Sequence, residues 1–153
     1  MTLEIGRPAP DFTLRDQHGQ HVTLSSYRGH KAVLLMFYPY AFSSVCTSEL
    51  CAVRDSLRTF ETEDAEVLAV SCDPMFALRA FAEQDGLTFP LLSDFWPHGA
   101  IAASYGVFNE HRGCADRSTF ILDKQGVVRW SVHNAMREPR DLEEQARVLA
   151  EVA

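Results

Sequence analysis

Cys46 and Cys51 lie five positions apart in the stretch YPYAFSSVCTSELC, Tyr38 to Cys51, just beyond a proline. From Ser44 the residues SVCTSELCAVRDSLRTFE contain neither Gly nor Pro, and Val45, Leu50, Val53, Leu57 and Phe60 recur at intervals that fit one apolar helical stripe. Ser43 or Ser44 is placed to cap this helix, with Glu49 soon after its start, so Cys46 falls in the first turn. There the unpaired backbone N–H groups and the helix dipole favour a negative charge, which suits a thiolate nucleophile. The competing reading is a small buried side chain, since free cysteine is among the most buried residue types. Ser43, Ser44, Thr47 and Ser48 around the thiol are unusual company for a dry core; they suit an anion or an oxygen-rich substrate.

A helix sets residues five apart about 140° from each other around its axis, so Cys46 and Cys51 point apart. A disulfide needs converging Cβ vectors and Cα atoms usually within about 6.8 Å, so this pair can bond only if the first turns unwind. Such a pair would be a working redox couple. Zinc is the rival from another class, but Cys-x4-Cys supplies two ligands where four are usual. The six histidines form no close His-x3-5-His pair, and Cys72 and Cys114 could complete a site only through folding. A Cys-His hydrolase is weaker still, because no histidine is marked by its neighbours as a base. The lack of a Cys-x2-Cys motif argues against a disulfide reductase.

The elements that must position these thiols can be read along the chain. DFTLRD and HVTLSS alternate around QHG as an N-terminal β-hairpin, and the apolar run KAVLLMFYP, Lys31 to Pro39, suits a central strand buried on both faces. After the cysteine helix come a second buried strand (AEVLAVSCD), a helix stopped by Gly86 (MFALRAFAEQDG) and a short strand (FPLLSD). A short helix (GAIAASYGV), a hairpin turning at DKQG (STFILDKQGVVRWSVH) and an amphipathic C-terminal helix (DLEEQARVLAEVA) complete the order. Alternating strands and helices that give way to a hairpin predict an α/β fold with a mixed central sheet and helices on both faces. The order is that of a thioredoxin-like domain, a topology that periodicity alone does not choose over other small α/β folds.

With 153 residues, a single domain spanning 1–153 is expected. The net charge of −7 and the scattered basic residues argue against a nucleic-acid groove. MTLEIGRPAPDF lacks the pattern of a secretory leader, and no apolar run is long enough to span a bilayer, so a cytoplasmic location without membrane attachment is expected. In a reducing cytosol, thiols that matter are more often catalytic or metal-binding than structural.

Pro39-x3-Ser43-x2-Cys46 resembles the active-site motif of peroxiredoxins, thiol peroxidases on a thioredoxin fold, whose usual form is Pro-x3-Thr-x2-Cys. The resemblance runs over nearly the whole chain. GRPAPDFTLRDQHG is similar to the family's opening segment, VSCDP and FPLLSD stand in the expected order, and RSTFILD from Arg117 resembles the strand that carries its active-site arginine. SDFWPHGAIAASYGVFNE is most similar to the AhpE-type subgroup, whereas the five-residue cysteine spacing resembles the bacterioferritin-comigratory (PrxQ) subgroup.

The resemblance implies that Cys46 is the peroxidatic cysteine, which attacks the O–O bond and leaves as sulfenic acid. It implies that Arg117 stabilises the thiolate and departing oxygen, that Ser43 hydrogen-bonds thiolate and peroxide, and that Pro39 shields the sulfur. Backbone N–H groups near Val45 and Cys46 would complete the donor set, and Glu49 would orient the arginine. Ser43 stands where threonine is usual and lacks the methyl that restricts the rotamer.

Cys51 is expected to resolve the sulfenic acid as an intramolecular disulfide, recycled by thioredoxin, a glutaredoxin-like protein or a low-molecular-weight thiol. Cys114, in the loop EHRGCADR, is the second candidate resolver, and Cys72 reads as a buried structural thiol. The alternatives are a one-cysteine peroxidase reduced by an external thiol and a non-catalytic redox-sensing module. No cofactor or metal is implied; a homodimer is, with Phe42, Phe95 and Trp96 as candidate contacts.

Overall fold

Thr13–Arg15 (β1) and His21–Thr23 (β2) pair antiparallel with Leu14 opposite Val22, the hairpin that their alternation predicts. The computed structural model describes residues 2–153. The apolar run that follows the hairpin becomes β3, Ala32–Phe37, with all six residues buried. Its neighbours are β4 (Ala65–Ser71), parallel to it, and β8 (Ser118–Leu122), antiparallel. With β5 (Leu91–Ser93) and β9 (Val128–His133) these strands form a seven-stranded mixed sheet in the order β2-β1-β5-β4-β3-β8-β9.

Because β3 is covered on both faces, its alternate residues feed two cores. Leu34, Met36 and Tyr38 pack with Cys46, Leu50 and Val53 of α1 (Ser44–Asp55), Leu78 and Phe81 of α3 (Met75–Asp85), and Leu149 of α5 (Leu142–Val152). Val33, Leu35 and Phe37 point the other way, toward Phe120 and toward Ala102 and Tyr105 at α4 (Ala100–Ser104). Gly86 ends α3 at φ 63°, a left-handed cap, and the Asp141 carboxylate starts α5 by accepting the Glu144 N–H at 3.1 Å. Among the described residues no helix is long and apolar enough to cross a membrane.

Two local features differ from the sequence pattern. The cysteine helix does not run unbroken to Phe60: it stops at Asp55, turns at Ser56 (φ −115°, ψ 24°) and resumes as α2, Leu57–Phe60. Serine is a weak helix former, and the turn lets Phe60 bury in the core beside β4. The segment around EHRGCADR is also not all loop. Phe108–Asn109 (β6) pairs with Cys114–Ala115 (β7), placing Cys114 in a strand with no exposed surface. Two-residue strands are too short for alternation to reveal.

Candidate active site

Beyond the end of β3, Tyr38 and Pro39 stay buried, a turn follows over residues 40–43, and α1 begins at Ser44. Cys46 is thus in the first helical turn. Thr47 N–H makes the first intrahelical bond, to the Ser43 carbonyl at 2.8 Å, so the amides of Ser44, Val45 and Cys46 have no carbonyl within the helix to accept them. The Cys46 side chain is fully buried.

Arg117, at the head of β8, places Nη2 3.4 Å from Cys46 Sγ. It is itself buried and held on two sides. Its Nε and Nη2 donate to the Met136 carbonyl at 3.2 and 2.9 Å, and its Nη1 pairs with Glu49 Oε1. Glu49 reaches this point because it lies three residues after Cys46 and therefore on the same helix face.

The carboxylate has a second cation. Arg140 Nη1 approaches Glu49 Oε1 at 3.0 Å, and the Arg140 N–H donates to Oε2 at 2.6 Å. The remaining Arg140 donors bond Thr119 Oγ1 at 3.0 Å, the Ser118 carbonyl at 3.4 Å and the Phe37 carbonyl. Burial lowers the Arg140 pKa to about 10, opposed chiefly by Glu49, so it remains a cation at neutral pH. Two guanidiniums and one carboxylate leave one positive charge in the protein interior, and the group facing it through Arg117 is the Cys46 sulfur. Arg140 carried no signal in the sequence.

Ser43 or Ser44 is expected to cap the helix, and the family resemblance implies that Ser43 hydrogen-bonds the thiolate. The structure shows neither bond: its hydroxyl donates to the Tyr40 carbonyl at 3.0 Å, and no side chain caps α1. A cleft of about 210 Å³ opens beside it, lined by Pro39, Tyr40, Ser43, Val45, Arg117 and Met136. Arg117 joins this cleft to the buried sulfur.

Against known proteins, the AhpC/TSA family profile matches residues 5–131. The chain belongs to this family of peroxiredoxins. It is 50% identical over 143 residues to alkyl hydroperoxide reductase E of Mycobacterium tuberculosis, spanning 94% of this chain and 92% of that protein. It is also 36% identical over 145 residues to the chloroplastic peroxiredoxin Q of Triticum aestivum, spanning 94% of this chain and 65% of that one. Among solved structures, peroxidoxin BcpB from Mycobacterium tuberculosis superposes with a TM-score of 0.86 at 30% identity over 99% of both chains. The thioredoxin-like fold expected from the order of elements is therefore present, and the peroxiredoxin is a thiol-dependent peroxidase.

In this peroxiredoxin all four cysteines are free thiols. Cys51 is half-buried on the same unbroken helix as Cys46. Cys72 and Cys114 are buried, and burial pushes the Cys72 thiol up to about 12 and the Cys114 thiol in the same direction. Neither is readily a thiolate, which weighs against Cys114 as an attacking thiol. Among the described residues no three His, Cys, Asp or Glu side chains are grouped to hold a metal ion.

Proposed function

We propose that Cys46 is the peroxidatic cysteine and that Arg117, Ser43, Pro39 and Glu49 build its site. The observation that carries this reading is the 3.4 Å contact from Arg117 Nη2 to Sγ, made by a guanidinium already fixed by Glu49 and by the Met136 carbonyl. A hydroperoxide or hydrogen peroxide enters the cleft beside Pro39 and Ser43. The Cys46 thiolate attacks one oxygen: an S–O bond forms, the O–O bond breaks, and the departing alkoxide or hydroxide takes a proton from solvent. Arg117 and the free amides at the start of α1 stabilise the charge that moves onto the departing oxygen. Ser43 has committed its proton to the Tyr40 carbonyl, so its oxygen is left to accept from the peroxide O–H. Glu49 and Arg140 act through Arg117 by fixing its plane.

Cys51 then attacks the Cys46 sulfenic acid, forming the disulfide and releasing water. The helix must open first, because α1 is continuous across both residues. An external reductant, whether thioredoxin, a glutaredoxin-like protein or a low-molecular-weight thiol, restores both thiols through a mixed disulfide. The same helix continuity favours a second reading, in which α1 stays wound and an external thiol attacks the sulfenic acid directly.

The chain works as a single cytoplasmic domain and pairs as a homodimer. Supporting the dimer, Phe42, Phe95 and Trp96 leave 48%, 45% and 80% of their surface exposed, apolar area that a second copy of the chain would cover.

Thiol counting with intact mass after one equivalent of hydrogen peroxide separates the two routes. Loss of two thiols in wild type, with a stable sulfenic acid in Cys51→Ser, supports the disulfide route. A sulfenic acid that persists in wild type until an external thiol is added contradicts it.

A further inference from the structure

The turn between β3 and α1 is tied to α3 and the segment before it at two points. The Ala41 N–H donates to Asp73 Oδ2 at 2.8 Å, and the Phe42 ring packs on Phe81 of α3 with ring centroids 5.0 Å apart. At the second anchor the backbone is strained: Phe42 has φ 68°, and among the described residues it is the one non-glycine in that region.

Asp73 is well braced for such a task. The same Oδ2 accepts from Ser71 Oγ at 2.7 Å, and the Asp73 carbonyl accepts from Ser93 Oγ at 2.6 Å, which ties it to the ends of β4 and β5. Strain in a turn persists only while its surroundings hold it, so the anchor decides whether the turn stays closed.

We propose that Asp73 is a positioning residue that, with the Phe42–Phe81 contact, clamps the 40–43 turn closed and so sets how often the first turn of α1 opens. This rests on the reading of Cys46 as peroxidatic and Cys51 as its resolver. The peroxide step needs the closed turn, because Pro39 and Ser43 line the cleft beside Arg117. The disulfide step needs the open one. Loosening the clamp therefore moves the two steps in opposite directions, which a general loss of structure does not do.

The test compares wild type, Asp73→Ala and Asp73→Asn, the last keeping an acceptor oxygen for Ala41. Stopped-flow fluorescence follows sulfenic acid formation with hydrogen peroxide and then disulfide formation. Hydrogen exchange over residues 41–47 is read separately in a Cys51→Ser background, where the Cys46–Cys51 disulfide cannot form.

In Asp73→Ala we expect exchange over 41–47 to rise at least about tenfold, the lower end of what a hydrogen bond to a charged group is worth. Sulfenic acid formation slows and disulfide formation speeds up. Asp73→Asn restores all three toward wild type. Asp73→Ser, polar but too short to reach Ala41, gives the same readouts should Asp73→Ala not fold.

Unchanged exchange over 41–47, exchange raised equally throughout the protein, or both steps slowed together would overturn the clamp. If no Cys46–Cys51 disulfide forms even in wild type, the assignment of Cys51 fails, while the exchange measurement still decides the role of Asp73.

Discussion

Arg117 and Arg140 converge on a single oxygen, Oε1 of Glu49. Two buried cations on one carboxylate give a centre whose uncompensated charge faces the Cys46 sulfur through Arg117. Breaking a buried ion pair by removing one partner costs about 3–5 kcal/mol, because the other charge is left buried and unpaired.

Glu49→Gln should therefore destabilise the fold by about that amount and slow the reaction with hydrogen peroxide, since Arg117 loses the partner that fixes it. Denaturant unfolding and stopped-flow kinetics on the same protein check both halves. A variant as stable as wild type would show that the charges are balanced elsewhere.

Substitution of Arg117 separates charge from geometry. Removing one preorganised donor to a developing charge costs roughly 10²–10³ in rate, so Arg117→Met should lose that much in its reaction with hydrogen peroxide. Arg117→Lys keeps the charge but lacks the planar fork that spans Met136, Glu49 and Cys46, and it should recover only part of the loss. Wild-type rates in both variants would mean that neither charge nor fork matters at this position.

A pH dependence of stability follows from Glu61, at the C-terminal end of α2. Burial, reinforced by the nearby Glu66 carboxylate and opposed by Lys31, raises its pKa from 4.5 to about 7. The folded state therefore binds more protons than the unfolded one between these values, and the contribution of Glu61 is fully present below pH 4.5 and lost as pH rises through about 7. Urea midpoints should fall between pH 5 and pH 8, and Glu61→Gln should flatten that slope. A midpoint that rises over this interval in wild type but not in Glu61→Gln would reverse the assigned sign.

The four thiols should differ in reactivity. Alkylation of the native, reduced protein at pH 8, read peptide by peptide, should label the half-buried Cys51 well before Cys72 and Cys114, which are buried and held protonated. Rapid labelling of Cys114 would restore it as a candidate resolver.

Much of this arrangement was legible in the sequence because it rests on local patterns. The unbroken apolar run of β3 announces a strand buried on both faces, and the Gly- and Pro-free stretch after Ser43 announces the helix that carries Cys46. Arg117 stands out only through the family resemblance, and its contact with the sulfur is a fact of the fold. Arg140 was invisible: it lies 91 residues from Glu49, in an aperiodic segment between a proline and a helix cap, and only tertiary packing brings the two together. Ser43 shows a subtler limit. Its type marks the start of the helix, but nothing in it says that the Tyr40 carbonyl, three residues back, takes its proton.

The most direct test of the central assignment is the pre-steady-state rate at which Cys46→Ser consumes hydrogen peroxide, beside wild type and Cys51→Ser. With Cys46 as the attacking atom, Cys46→Ser loses the fast reaction entirely, while Cys51→Ser keeps it and accumulates sulfenic acid on Cys46. Fast peroxide consumption by Cys46→Ser would contradict the account.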